Sequence, residues 1–187
     1  MTVSSSVSDA AALAPAVIWL TGLPGAGKTT IAQRVGAGLR TRGVPVEQLD
    51  GDAVRAVFPG TGFSRAERDA HVRRIGFMAS RLEAHGVFVV ASFVSPYREA
   101  RAAARALCRR FVEVYVATPL DECERRDPKG MYARARRGEI TSFTGVDDPY
   151  EPPTAPELTL DTAAIGPDEA AGRILALLAD QRPEGIR

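Results

Sequence analysis

Eight consecutive residues, Gly22-Leu23-Pro24-Gly25-Ala26-Gly27-Lys28-Thr29, satisfy the pattern G-x-x-x-x-G-K-[ST] in full. The chemistry such a run supports is the holding of phosphates. Its glycines let successive backbone N–H groups converge on an anion, and a helix starting there adds a favourable dipole. Lys28 would reach the β- and γ-phosphates of a nucleoside triphosphate, and the Thr29 hydroxyl would ligate magnesium, with Thr30 beside it. A bare Gly-rich turn is the alternative, and it leaves the lysine unexplained. Of 24 basic residues only Lys28 and Lys129 are lysines. In a chain that otherwise uses arginine, a compact ammonium stands where phosphate chemistry asks for one. A second candidate is Asp50-Gly51-Asp52, two carboxylates one residue apart, which alone reads equally well as a turn.

These groups need elements to position them. Residues 16–21 form a short apolar run, the pattern of a strand buried on both faces. The phosphate-binding run follows it directly, and residues 28–42 predict a helix closed by Gly43 and Pro45. Residues 46–49 predict a second strand leading into Asp50. Ser64 and Glu67 form a capping box for a helix to about residue 85. Strands at 87–92 and 111–116 flank a helix over 97–108. Short helices near 120–126 and 131–137, a Gly/Pro-rich loop over 138–156, a weak strand at 158–160 and an amphipathic helix over 168–179 complete the chain. Strands alternating with helices predict an α/β fold, a parallel sheet covered on both faces. The expected organisation is one domain over 16–180 between a flexible tail at 1–15 and a polar tail at 181–187.

Composition narrows the function. A chain of 187 residues with formal net charge +1 has no global pull towards nucleic acid or membrane. Two cysteines without ligand spacing suggest neither a disulfide framework nor a zinc site, and point to a reduced, cytoplasmic setting. Asparagine is absent, so the Asn-Lys-x-Asp motif by which GTP switches read their base is absent too. The size is small for a translocating motor. What remains is a kinase for a small molecule, with a non-catalytic nucleotide sensor as the alternative.

Further motifs occur in order: Leu49-Asp50-Gly51-Asp52-Ala53-Val54-Arg55, Gly62-Phe63-Ser64, Arg73-Arg74-Ile75-Gly76, and Ser92-Phe93-Val94-Ser95-Pro96-Tyr97-Arg98. Thr118-Pro119-Leu120, Arg126-Asp127-Pro128-Lys129-Gly130-Met131-Tyr132 and Phe143-Thr144-Gly145-Val146-Asp147 follow. With the phosphate loop ahead of them, they resemble the adenylylsulfate kinase (APS kinase) family over roughly residues 16–162. The resemblance implies a P-loop NTPase of the nucleoside-monophosphate-kinase-like, three-layer type, with a five-stranded parallel sheet and a basic lid. It implies transfer from ATP, with Mg2+, to the 3′-hydroxyl of adenylyl sulfate, carried out by a homodimer.

The resemblance also implies roles. Asp52 would orient or deprotonate the acceptor hydroxyl and, with Thr29 and Asp50, face magnesium. Arg55 and Arg68 would grip the acceptor's phosphosulfate, Phe63 and Phe143 would sandwich its adenine, and Val94 would line the pocket. Ser95 matches a serine that becomes phosphoserine in some bacterial members, although direct in-line transfer suffices without it. Lys129 would meet the transferring phosphate from a lid rich in arginine (Arg125, Arg126, Arg134, Arg136 and Arg137), with Arg126 also at the nucleotide. Two positions depart from the family pattern: Ala53 and His71 stand where it has asparagine. Imidazole ordinarily titrates near neutrality, and a different acceptor is the sharper reading of that exchange.

Overall fold

The computed structural model describes residues 13–58 and 62–180. The expected tails therefore lie outside the described residues, apart from 13–15. In chain order the elements are β1 Val17–Thr21, α1 Lys28–Arg40, β2 Val46–Asp50, α2 Gly51–Val57, α3 Arg65–Ala84 and β3 Phe88–Ser92. Then come α4 Arg98–Leu107, β4 Phe111–Val116, α5 Leu120–Arg126, α6 Met131–Arg136, β5 Leu158–Leu160 and α7 Pro167–Asp180. The five strands are all parallel, in the order β2-β3-β1-β4-β5.

Side chains alternate across the central strand, as a pleat requires. Ile18 and Leu20 enter one core with Ile31, Val35 and Leu39 of α1 and Ile174 and Leu178 of α7. Val17 and Trp19 enter the other with Val72, Ile75 and Ala79 of α3 and Ala100 and Ala104 of α4. The result is three layers, helices on both faces of the sheet. Trp19 stacks between Phe93 and Phe111, with ring centroids at 5.4 and 5.7 Å. Fully burying side chains of this size contributes about 1.5–3 kcal/mol each, so β1 is the best-anchored element from which to hang a loop.

The expected capping box is present: Ser64 accepts from the Glu67 amide and donates its own N–H to Glu67 Oε2 at 3.0 Å. Asp50-Gly51-Asp52, which alone reads equally well as a turn, joins a strand to a helix: Asp50 ends β2 and caps α2, its carboxylate accepting the Asp52 amide at 3.0 Å. The C-terminal ends of the strands then gather Thr21, Asp50 and Ser92 along one edge of the sheet, where parallel α/β folds place their sites.

Candidate active site

The phosphate loop leaves β1 through Gly22, whose φ is 152°. A Cβ there would stand 2.4 Å from the Val116 carbonyl oxygen, so the loop can lie against β4 only with glycine. Gly27, at φ 94°, is the cap of α1 in the left-handed region and turns the chain into the helix. Lys28 follows, buried, with its ammonium donating to Gly22 O at 2.9 Å and Leu23 O at 2.7 Å. Burial lowers its pKa to about 8, partly offset by the thiol of Cys123 and the carboxylates of Asp50 and Asp52. Two of its three donors are thus spent on holding it in the loop, and the charge stays at the loop's mouth.

Thr29 lies one turn into the site and donates to Asp50 Oδ2 at 2.8 Å. Ser92, at the end of β3, donates to the same oxygen at 3.0 Å. Partial burial opposes ionisation of Asp50, but these hydroxyls and the Asp52 amide outweigh it and hold the carboxyl below its ordinary range. Asp52 projects outward from α2 and forms an ion pair with Lys129, on the loop between α5 and α6. The four residues read from the sequence as phosphate- and metal-facing thus meet in two pairs, Thr29 with Asp50 and Asp52 with Lys129.

The residues assigned to the acceptor gather on the α2–α3 side. The Arg55 guanidinium lies 4.6 Å from the Phe63 ring centroid, and Phe63 is 56% exposed. Arg68, expected at the acceptor's phosphosulfate, is held by neighbouring protein groups. Its Nε donates to Phe63 O at 2.7 Å, its other nitrogens to Thr144 Oγ1 and Ser142 O, and Asp148 Oδ2 lies 3.3 Å away. It is buried and engaged by protein, so it fastens the Ser142–Asp148 loop to α3 rather than reaching outward. Phe143, in that loop, is buried edge-on against Tyr132 at 4.9 Å.

His71 is 3% exposed, and neither ring nitrogen has a hydrogen-bond partner. Burial, with Arg55 and Arg74 nearby, pushes its pKa down to about 4. The expected titration near neutrality is thereby corrected: the imidazole is neutral across the working range. It lies edge-on to Phe93 at 6.0 Å.

Ser95 is buried at φ 38°, accepts from Trp19 Nε1 at 3.0 Å, and donates to Thr21 Oγ1 at 3.0 Å. A hydroxyl so enclosed helps to fix the segment after β3. Val94 serves the same junction, its carbonyl accepting from Thr21 Oγ1 at 2.8 Å.

The lid's positive charge is largely matched within the lid. Arg125 and Arg126 pair with Glu122, Arg136 with Glu124, and Arg134 and Arg137 with Glu139. Lys129 is the lid cation that pairs instead with a site carboxylate. Asp127 shapes this loop, its carboxylate accepting the Tyr132 and Ala133 amides at 3.1 and 3.0 Å. Arg126 donates to Thr162, Nη1 to the hydroxyl at 2.7 Å and Nη2 to the carbonyl at 2.8 Å. Sequence reasoning gave Ser92 and Thr118 a place in the ordered motifs but no role, and passed over Thr162, whose signal was position alone, a hydroxyl residue just beyond the end of a strand.

Comparison with known proteins gives a consistent set of likenesses. The profile of the family described as adenylylsulphate kinase matches residues 14–161. An adenylyl-sulfate kinase of Gloeothece citriformis is 54% identical over 159 residues, 84% of this chain and 90% of that one. The APS kinase of Mycobacterium tuberculosis, solved in complex with AMPPNP and APS, superposes with TM-score 0.85 at 41% identity, covering 89% of this chain and 98% of that one. A hexameric APS kinase from Thiobacillus denitrificans superposes with TM-score 0.70 at 35% identity, covering 90% of this chain but 29% of that larger one.

Proposed function

The chain belongs to the adenylylsulphate kinase family, and from that premise we propose that it transfers the γ-phosphoryl group of ATP to the 3′-hydroxyl of adenylyl sulfate. The products are ADP and 3′-phosphoadenylyl sulfate, with the hydroxyl proton released. The observation that carries this reading is the pair of carboxylates beside the phosphate loop, Asp50 held by Thr29 and Asp52 held by Lys129.

Each group has a task in an in-line displacement. The loop amides and Lys28 hold the β- and γ-phosphates, so the donor arrives in one orientation. Asp52, on the exposed rim, orients the acceptor hydroxyl and accepts its proton as the P–O bond forms. Lys129, already beside that carboxylate, meets charge that gathers on the transferring oxygens. Phe63 offers an open face for the acceptor's adenine, and Arg55, stacked on it, is the guanidinium we assign to the phosphosulfate. Arg68 and Phe143 shape the opposite wall from within.

Thr29, Asp50 and Asp52 are oxygen donors, the set a hard cation takes. That set fits Mg2+, which is typically held by one or two carboxylates while substrate phosphates complete its shell. When bound, it would neutralise charge on the nucleotide.

Among the described residues no helix is long and apolar enough to cross a membrane. With both cysteines free, a cytoplasmic setting is the one we propose. We propose a homodimer; light scattering on the purified protein separates that from a hexamer.

One observation favours a second reading, a different acceptor: the unpartnered His71 where the family pattern has asparagine. Steady-state assays decide. Production of 3′-phosphoadenylyl sulfate from micromolar adenylyl sulfate and Mg-ATP supports the first reading. ATP binding without acceptor-dependent ADP release sinks it and leaves the other acceptor or a sensor.

A further inference from the structure

Two threonines stand in equivalent places on neighbouring strands. Thr118 lies two residues past the end of β4, and Thr162 two residues past the end of β5. Their hydroxyls touch each other at 2.7 Å, and each lies 3.1 Å from the carbonyl oxygen of Ala26, inside the phosphate loop. Ala26 is fully buried, so this carbonyl has no water to turn to. Whichever hydroxyl donates to Ala26 O, the other donates to its neighbour, so neither proton is wasted. Arg126 adds a charged donor to the Thr162 hydroxyl, its Nη1 lying 2.7 Å from Thr162 Oγ1.

A trans peptide points its N–H opposite to its C=O. Fixing Ala26 O against the strand ends therefore turns the Gly27 N–H away from them, towards the mouth of the loop where phosphates would lie. A Cβ at Gly27 would meet Thr162 side-chain atoms at 3.7 Å, ordinary contact, so the threonine also backs the loop sterically.

We propose that Thr162, supported by Thr118, is a positioning residue for the nucleotide: it sets the Ala26–Gly27 peptide for phosphate binding and couples that peptide to Arg126 in α5. The proposal rests on the loop binding ATP, but not on which acceptor is used.

The test is calorimetric titration of the full chain with ATP and with inorganic tripolyphosphate, alongside KM and kcat. Thr162→Val keeps the shape and removes the hydroxyl. It is expected to weaken both ligands about tenfold, the scale of losing a hydrogen bond while leaving a buried acceptor short. KM for ATP should rise in proportion while kcat at saturation stays within about threefold, and Thr162→Ser should restore binding to within about twofold. Should Thr162→Val fail to fold, Thr118→Val, which removes the other hydroxyl from the same carbonyl, takes its place, with at least about threefold weakening expected. Tripolyphosphate and ATP affinities within twofold of the unaltered protein would overturn the proposal. Absence of ATP binding by the unaltered protein would sink the nucleotide reading instead. Failure of the unaltered protein on adenylyl sulfate alone touches only the acceptor.

Discussion

Lys129 reaches across from the α5–α6 loop to form an ion pair with Asp52, at the start of α2. Both side chains are more than half exposed, at 56% and 74%. An exposed pair of this kind contributes about 0–1 kcal/mol to stability, so its value cannot lie in holding the fold. Its consequence is placement: a proton acceptor and a cation share one spot on the rim of the phosphate loop. Asp52→Asn is therefore expected to lower kcat at least about 100-fold, the lower end for a lost general base, with ATP affinity within about threefold. Lys129→Met should also cut kcat, while moving the melting temperature by no more than a few degrees. An Asp52→Asn enzyme with near-normal turnover would remove that carboxylate from the chemistry.

Lys28 makes a prediction in pH. Burial brings its pKa down from 10.5 to about 8, so in the free protein the ammonium is lost as pH rises through that value. ATP affinity should accordingly be flat below pH 8 and fall above it, by up to about tenfold per unit if only the charged form grips phosphate. For folding the sign is opposite. A cationic group whose folded pKa is depressed burdens the fold below about 8, and that burden lifts as pH rises from about 8 to 10.5. Lys28→Arg, whose guanidinium stays charged, should abolish the fall in affinity over this range, even if its absolute affinity is poorer. ATP titrations at pH 7 to 10 on both proteins provide the check.

Much of this arrangement was legible in the chain, and what was not has physical reasons. The apolar run ending at Thr21 and the Ser64–Glu67 box are local signals, and both elements stand where those signals put them. The seven residues of α2 drew no helix prediction because a helix this short has little periodicity; Asp50 as its cap and the burial of Val54 hold it. The resemblance put Arg68 at the acceptor's phosphosulfate, and nothing in the order of residues along the chain shows that Ser142, Thr144 and Asp148 come to meet it. The same blindness hid what Thr118 and Thr162 do together, since they converge on Ala26 only once β4 and β5 lie side by side.

His71 carries a cost that can be measured. An imidazole with both nitrogens buried and unpartnered is held neutral, its pKa pushed to about 4 from 6.5. Because the unfolded chain takes up that proton first, stability is present above pH 6.5 and is lost as pH falls from 6.5 towards 4. The loss is on the order of 2 kcal/mol across that window. His71→Asn, the residue of the family pattern, should flatten this dependence in urea titrations at pH 4.5 and 7. If His71 faces the acceptor, the same change should also shift KM for adenylyl sulfate while leaving KM for ATP within about twofold. Equal acid sensitivity in the two proteins would show that other groups set the pH response.

Arg101 is the buried cation on which the back of the site depends. It is 2% exposed, pairs with Glu113 Oε1 through Nε at 2.7 Å, and donates to Ser95 O at 2.6 Å and Glu151 O at 2.7 Å. One guanidinium thus ties the end of β3 and the segment after the Ser142–Asp148 loop to β4. Removing it strands Glu113 in the interior with only Arg105, 3.4 Å away, deprives Glu151 O of its donor, and leaves Ser95 O with only the Thr21 hydroxyl at 3.5 Å. Arg101→Met should therefore cost about 3–5 kcal/mol in urea unfolding, the range for breaking a buried pair from one side. The double variant Arg101→Met/Glu113→Leu should recover part of that loss, since it no longer buries an isolated charge. It should not recover turnover, because Ser95 and Glu151 would still lack the Arg101 guanidinium and the loops they anchor would no longer be held to β4. A single variant as stable as the unaltered protein would mean that Arg105, although shared with Glu157, suffices to compensate Glu113, and that Arg101 serves the loops alone.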